Sequence, residues 1–323
     1  MHRIVIILVA LWLIGWPVAA QAQEPAEGEI AGQVVNGTEG GSSVVGVVIT
    51  LITYVDDMMS ATTTTTTDGE GKFRFDNIVR EHNYLVSAQY MGVDYYYPVT
   101  FESGAETAHV EVGVCDVTDS DHAISIGLAH TVINVAEDSL KITAVYWLVN
   151  DGDMTYVGTD TDGVLVFTLP EGAFGFEAPQ ELMIDYQLLE SNRIAYLVPF
   201  PPGERQLVYS YRLVKPDAAE FTLPLEVAYT TDSLELMVAG EDIEAAVTRL
   251  APAEPVVTDT GERFIHFQGK NLPRNTMINL RLSSLSEGSA LPLIVLLVII
   301  AVVIIGLAVN IMIRRKMKAG VNG

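Results

Sequence analysis

One cysteine, Cys115, stands among 323 residues. No intramolecular disulfide can form, which excludes a disulfide-stapled scaffold. The chain also lacks a haem-attachment CxxCH, paired zinc-type cysteines, a GxSxG elbow, an HExxH helix and any Cys–His pair with a supporting motif. Positive charge is scarce: 18 Lys and Arg stand against 41 Asp and Glu. All 41 acidic residues lie within 23–290, beside 13 of the basic ones, which leaves that segment at −28. Such a surface repels nucleic-acid phosphates and anionic headgroups, so no nucleic-acid partner is expected. It suits plain solubility, a basic partner or divalent cations.

Long apolar runs are confined to the two ends. Leu291–Ile313 carries one polar side chain, Asn310. As a helix its 23 residues reach about 35 Å, enough for a single transmembrane span. Arg314, Arg315, Lys316 and Lys318 follow at once, which predicts a cytoplasmic end there and an outside location for everything before it. Gly306 and Asn310, four apart, share a helix face that a plain anchor leaves unused and a helix–helix contact would use. At the other end, Met1-His2-Arg3, the run Ile4–Trp16 and Ala20-Gln21-Ala22 have the form of a signal peptide, 1–22, cleaved before Gln23. An uncleaved anchor would leave the same topology. The expectation is a plasma-membrane protein with one span (291–313), a basic tail (314–323), a short linker (286–290) and an outer portion large enough for two domains.

The first outer segment, 27–114, reads as seven short strands: Ile30–Val35, Val44–Tyr54, Thr62–Thr67, Lys72–Phe75, Tyr84–Tyr90, Tyr95–Phe101 and Ala108–Val114. Turn signals such as Asn36-Gly37 and Gly40-Gly41 separate them, and no long helical period intervenes. In Thr67-Asp68-Gly69-Glu70-Gly71-Lys72-Phe73-Arg74-Phe75, the glycines can supply the positive φ of a tight hairpin, while Phe73 and Phe75 point into one core. With Gly32-Gln33-Val34-Val35-Asn36, this pattern resembles the carboxypeptidase regulatory-like domain over about Glu29–Val114. The resemblance implies a transthyretin-like sandwich of seven strands, an accessory module without peptidase activity that serves as spacer, docking surface or, in related starch-binding-like sandwiches, glycan binder.

The second outer segment, 115–285, again shows only short strands. These are Ala129–Val135, Leu140–Val149, Val164–Leu169, Ile184–Leu189, Ile194–Phe200, Gln206–Leu213, Phe221–Tyr229, Leu234–Ala239, Arg263–Gln268 and Met277–Leu282. Ala251–Pro255 reads as a loop. In Gln206–Leu213 the residues Leu207, Tyr209, Tyr211 and Leu213 face one side, and Val208, Ser210 and Arg212 the other. Either one large sandwich or two small ones divided near Pro216 would satisfy this pattern. The series Asn150-x-Gly-Asp, Leu169-Pro-Glu-Gly-Ala, Pro201-Pro-Gly-x-Arg-Gln and Asn271-Leu-Pro is similar to a group of bacterial membrane-anchored envelope proteins. That resemblance implies a bacterial envelope and, for some relatives, company with redox or cytochrome-assembly systems; it assigns no functional residue.

Together these readings predict an all-β outer portion of two antiparallel β-sandwich (Ig/transthyretin-like) domains. The role expected is a non-catalytic binding or scaffold protein for protein interaction or adhesion, with no cofactor and an unknown envelope protein or glycan as partner. Three weaker signals stand beside this reading. Asp119, Asp121, His122 and His130, with Asp116 nearby, form the densest group of metal-ligand types. Tyr95, Tyr96 and Tyr97 place two rings on one strand face and one on the other, a candidate sugar platform. Asp68 with Glu70 offers carboxylates in a hairpin, and Asn36-Gly37-Thr38 matches a glycosylation sequon. Acid–base chemistry would draw on His109, His122, His130 or His266.

Overall fold

The computed structural model describes residues 26–136, 138–159, 162–239, 243–258 and 261–283. The expected signal peptide, linker, span and tail lie outside them. The described chain is all-β, and its one helical element is a 3₁₀ stretch, Gln180–Asp185. Among the described residues no helix is long and apolar enough to cross a membrane. The fold divides into two compact units, one of residues 26–35, 44–89 and 94–112 and the other of residues 36–43, 90–93 and 113 onward.

The first unit is built on β1 (Glu27–Asn36), β2 (Val48–Val55), β3 (Met58–Thr66), β4 (Lys72–Val79), β5 (Asn83–Tyr90), β6 (Val93–Val99) and β7 (Thr107–Val114). All seven expected strands are present, with ends shifted by a few residues. They form two sheets, in the orders β3-β2-β5-β6 and β4-β1-β7. Alternation sends Ile49, Leu51, Val86 and Ala88 from the first sheet into a buried core, and Ile30, Val34, Phe73, Phe75 and Val112 from the second. Phe73 and Phe75 meet edge to face at 6.1 Å, each ring contributing about 2–3 kcal/mol by burial. The turn before them is set by Asp68, whose Oδ1 accepts the N–H groups of Glu70 and Lys72 at 2.9 and 2.8 Å. Gly71 alone of the two turn glycines takes a positive φ, +76°.

The second unit contains β8 (Val117–Thr118), β9 (Ile124–Val135), β10 (Ser139–Asn150), β11 (Thr155–Tyr156), β12 (Leu165–Thr168), β13 (Phe174–Glu177), β14 (Tyr186–Leu189), β15 (Arg193–Tyr196) and β16 (Gly203–Val214). It continues through β17 (Glu220–Glu226), β18 (Thr231–Ala239), β19 (Glu244–Val247), β20 (Ala251–Pro252), β21 (Val256–Val257), β22 (Arg263–Leu272) and β23 (Met277–Ser283). Its main sheet has eight strands ordered β13-β16-β10-β9-β18-β22-β20, with β21 also on β22. The β9–β18 pair is parallel; the other pairings of this sheet are antiparallel. Smaller sheets β12-β15-β14 and β17-β23-β19 supply the other layer.

One core joins these layers. Leu140, Ile142, Ala144 and Leu148 of β10 and Leu207, Tyr209, Tyr211 and Leu213 of β16 enter it with Leu165, Phe167, Ile194, Leu223, Ile278 and Leu280. Residues on both sides of Pro216 therefore share a single cluster. Three expected features differ. Ala251–Pro252 pairs with β22 and is not a loop. Phe174–Glu177 and Glu244–Val247 are strands too short for alternation to reveal. The Ile184–Leu189 run begins as 3₁₀, because Pro179 at its N-cap opens a turn first.

Gly32 shows how closely the first unit is packed. A Cβ there would meet the Phe73 ring at 2.3 Å and the Val110 carbonyl at 2.6 Å, and backbone cannot yield. Gly32→Ala is expected to destabilise this unit by about 1–3 kcal/mol, read as a lower urea midpoint.

Candidate functional site

The structure separates the densest sequence cluster. Asp119 and His122 are exposed in the turn before β9. Asp121 turns to Arg274, 2.6 Å away. His130 lies six residues into β9, roughly 20 Å along the strand from Ile124. There its ring packs edge-on against Trp147 at 5.4 Å. Among the described residues, no three His, Cys, Asp or Glu side chains are placed to hold a metal ion. Burial, with the charge of His266 added, lowers the His130 pKa to about 4. His266 lies on the same sheet, bonded through Nε2 to the Glu235 carboxylate and through Nδ1 to the Glu254 carbonyl at 3.0 Å.

Asp116 has a structural task. Its Oδ1 accepts from Asn36 Nδ2 and Tyr90 Oη, both at 2.8 Å, and its Oδ2 accepts from the Ser42 amide and hydroxyl at 3.0 and 2.9 Å. The local sequence prepares this. Asn36 Oδ1 accepts the Thr38 amide at 3.0 Å, folding the 36–43 loop back on itself. Gly41 lies so close that a Cβ would meet Asn36 Nδ2 at 2.4 Å. Desolvation alone would raise the Asp116 carboxyl, but hydrogen bonds from Asn36, Tyr90 and Ser42 outweigh it and hold the pKa at about 2. The sequon nitrogen is thus committed in the folded chain, and the Thr38 hydroxyl donates to the Asp153 carbonyl at 2.8 Å. Cys115, beside this cluster, is half-buried, and desolvation leads the effects that push its thiol pKa up.

The other candidates fall in the first unit. Tyr95 is buried, Tyr97 half-buried, and Tyr96 alone turns outward, 56% exposed. One exposed ring is not a stacking platform. The Asp68 carboxylate is occupied by the turn amides, which lower its pKa, that of Lys72 most. Glu70 pairs with Lys72 at 2.6 Å. A shallow groove of about 740 Å³ runs past Gln33, Lys72, Arg74, His109 and Glu111. Its cations are already engaged, Arg74 by Asp76 and Glu29.

The most organised polar concavity belongs to the second unit. It holds about 320 Å³, near the lower end for small-molecule sites. Arg193 Nη1 and Nη2 reach the two oxygens of Asp162 at 3.1 and 3.4 Å. Across the lining, Arg274 donates to Asp121 and lies 5.2 Å from the Tyr229 ring centre. Tyr229 is fixed from below, its hydroxyl accepting the Val166 amide at 3.0 Å. Glu226, half-buried at the end of β17, adds a carboxylate with no hydrogen-bond partner among the described residues. Chemically this wall offers fixed donors and acceptors of both signs, an arrangement for recognition. The sequence pattern points to Asp121 but not to its pairing, because the partner lies 153 residues away. No local spacing signals it; an Asp beside a strand start and an Arg in a turn look like solvated charges.

No family model and no curated protein sequence matches the chain. Solved structures with some likeness include the major pilins SpaD (11% identity, 82% of this chain and 84% of that one, TM-score 0.23) and SpaA (12%, 81% and 94%, 0.22) of Corynebacterium diphtheriae. A protease candidate from Parabacteroides distasonis shares 8% identity over half of this chain at a TM-score of 0.30, and the chain spans only 40% of its length. Likenesses at these scores decide neither fold nor activity.

Asp116 and His130 couple stability to pH. The folded pKa of Asp116 lies below the unfolded value of about 3.9, so its stabilisation is complete above that pH and is lost as pH falls through about 2. Asp116→Asn should cost about 1–2 kcal/mol at pH 7, a gap that closes toward pH 2 in urea titrations. For His130, a folded pKa of about 4 against about 6.5 unfolded means stability falls as pH drops from 6.5 to 4. His130→Phe should flatten that slope, measured as the change in urea midpoint between pH 7 and 4.5.

Proposed function

We propose that the chain is a membrane-anchored, extracytoplasmic binding and scaffold protein that presents two β-sandwich units for protein interaction or adhesion. The observation that carries this reading is the concavity of the second unit, where Asp–Arg pairs sit on a rigid sheet frame and are held by one another. Fixed, mutually neutralised charges give shape and specificity to a docking surface more than they give proton transfer. The first unit is read as a carboxypeptidase regulatory-like module, supported by its two sheets of four and three strands, its Asp68 turn and its buried Phe73 and Phe75. The apolar run 291–313 and the cations after it supply the anchor in this reading, with the outer units on the far side of a bacterial plasma membrane. Sugar binding through Tyr95–Tyr97 draws little support from a single outward ring.

The test is crosslinking pulldown from native membranes with the full chain and with a chain ending at Gly288. Capture of the same partner by both is the expected result. Capture by the full chain alone would instead make the 291–313 segment an assembly element of a membrane complex, overturning the reading. Glu226→Lys, at the concavity, is expected to weaken capture about tenfold while moving stability by no more than about 0.5 kcal/mol.

A further inference from the structure

The two sheets of the first unit end in four edge strands, β3, β6, β4 and β7. Exposed edges invite strand addition, and folded proteins blunt them with charge, proline or short length. Three of these edges are blunted. β6 turns Asp94 and Pro98 outward, β4 turns Lys72, Arg74 and Asp76 outward, and β7 turns His109 and Glu111 outward. β3 is different. Its nine residues, Met58-Met59-Ser60-Ala61 and Thr62 to Thr66, contain no charge and no proline. Eight of the nine are exposed, Met58 at 71% and Met59 at 67%. Among the described residues this strand is laddered only to β2.

We propose that β3 pairs edge to edge with β3 of a second copy of this chain, in an antiparallel, two-fold ladder. Two features select a second copy over another occupant. The threonine run is its own complement: an antiparallel pair centred on Thr64 sets Thr62 opposite Thr66, Thr63 opposite Thr65 and Thr64 opposite its own copy, favourable β-branched cross-strand pairs, and keeps the ladder clear of the register shift beside Ser60. The paired stretch Thr62–Thr66 also carries no charge on a strongly acidic chain, so no like charges oppose one another within the ladder. A ladder of this length falls at or below the low end of stable interfaces, roughly 1,200 Å². The pairing is therefore weak in dilute solution and strengthened wherever copies are held at high local concentration.

The experiment uses the full chain in liposomes, in a Cys115→Ser background, with one new cysteine at a time. Under mild oxidation, Thr64→Cys should form a disulfide-linked homodimer at least ten times faster than Tyr96→Cys on the opposite edge, with Thr62→Cys and Thr66→Cys slower than Thr64→Cys. Adding Thr62→Lys to Thr64→Cys should cut the dimer at least tenfold with an unchanged urea midpoint, since the Thr62 side chain faces solvent. Equal crosslinking at positions 64 and 96, or a dimer indifferent to Thr62→Lys, would overturn the proposal. The same cysteines are also read at high concentration in detergent, so failure of the chain to insert is scored separately from failure to pair.

Discussion

The second unit depends on one constraint, the shared register of β9, β10 and β16. Three adjacent strands of twelve residues keep the same alternation, so one slip would turn Leu140, Ile142, Tyr209 and Tyr211 out of the core together. The single departure is a bulge where Trp147 faces Leu128 and Leu148 faces Ile126, with Gly127 taking up the extra residue. Everything else in the unit is laid on this platform. The short strands β12 and β15 bring Phe167, Ile194 and Tyr196 down onto it, and Tyr146 stacks on Phe167 at 5.2 Å. The outer side of the same sheet is also apolar in part, with Val132, Met237 and Phe264 closed under Val256.

Polar order is subordinate to that frame but is what varies along its rim. Asp116 gathers a loop by accepting four hydrogen bonds, Asp121 holds Arg274 over Tyr229, and Arg205 lies over Phe200 while donating to the carbonyls of Val198 and Pro199. In each case a charge is spent on geometry. A protein with so many carboxylates thereby fixes a few of them in place.

Alternation makes the long strands legible in the amino-acid sequence. The sides assigned to Leu207, Tyr209, Tyr211 and Leu213 are the sides observed, and the seven strands of the first unit fall where β-branched runs and turn signals put them. Among the short strands, β12, β14 and β15 coincide with apolar runs and are legible, whereas β13 and β19 are not, since a period of two needs several repeats to appear. The candidate site is less legible still. His122 and His130 are close in sequence, but an extended strand carries them apart, whereas Asp121 and Arg274 meet only through the fold of the whole unit. Proximity in an all-β chain is set by pairing order, which composition and spacing do not encode.

Native-state hydrogen exchange tests the platform most directly. The slowest amides of the second unit should lie in the middle of β9, β10 and β16 and open together, with a common free energy, while β14 and β19 exchange by smaller local openings. Amides of β10 that exchange as fast as those of β14 would contradict the account, because the register of the central strands would then not be what holds the unit together.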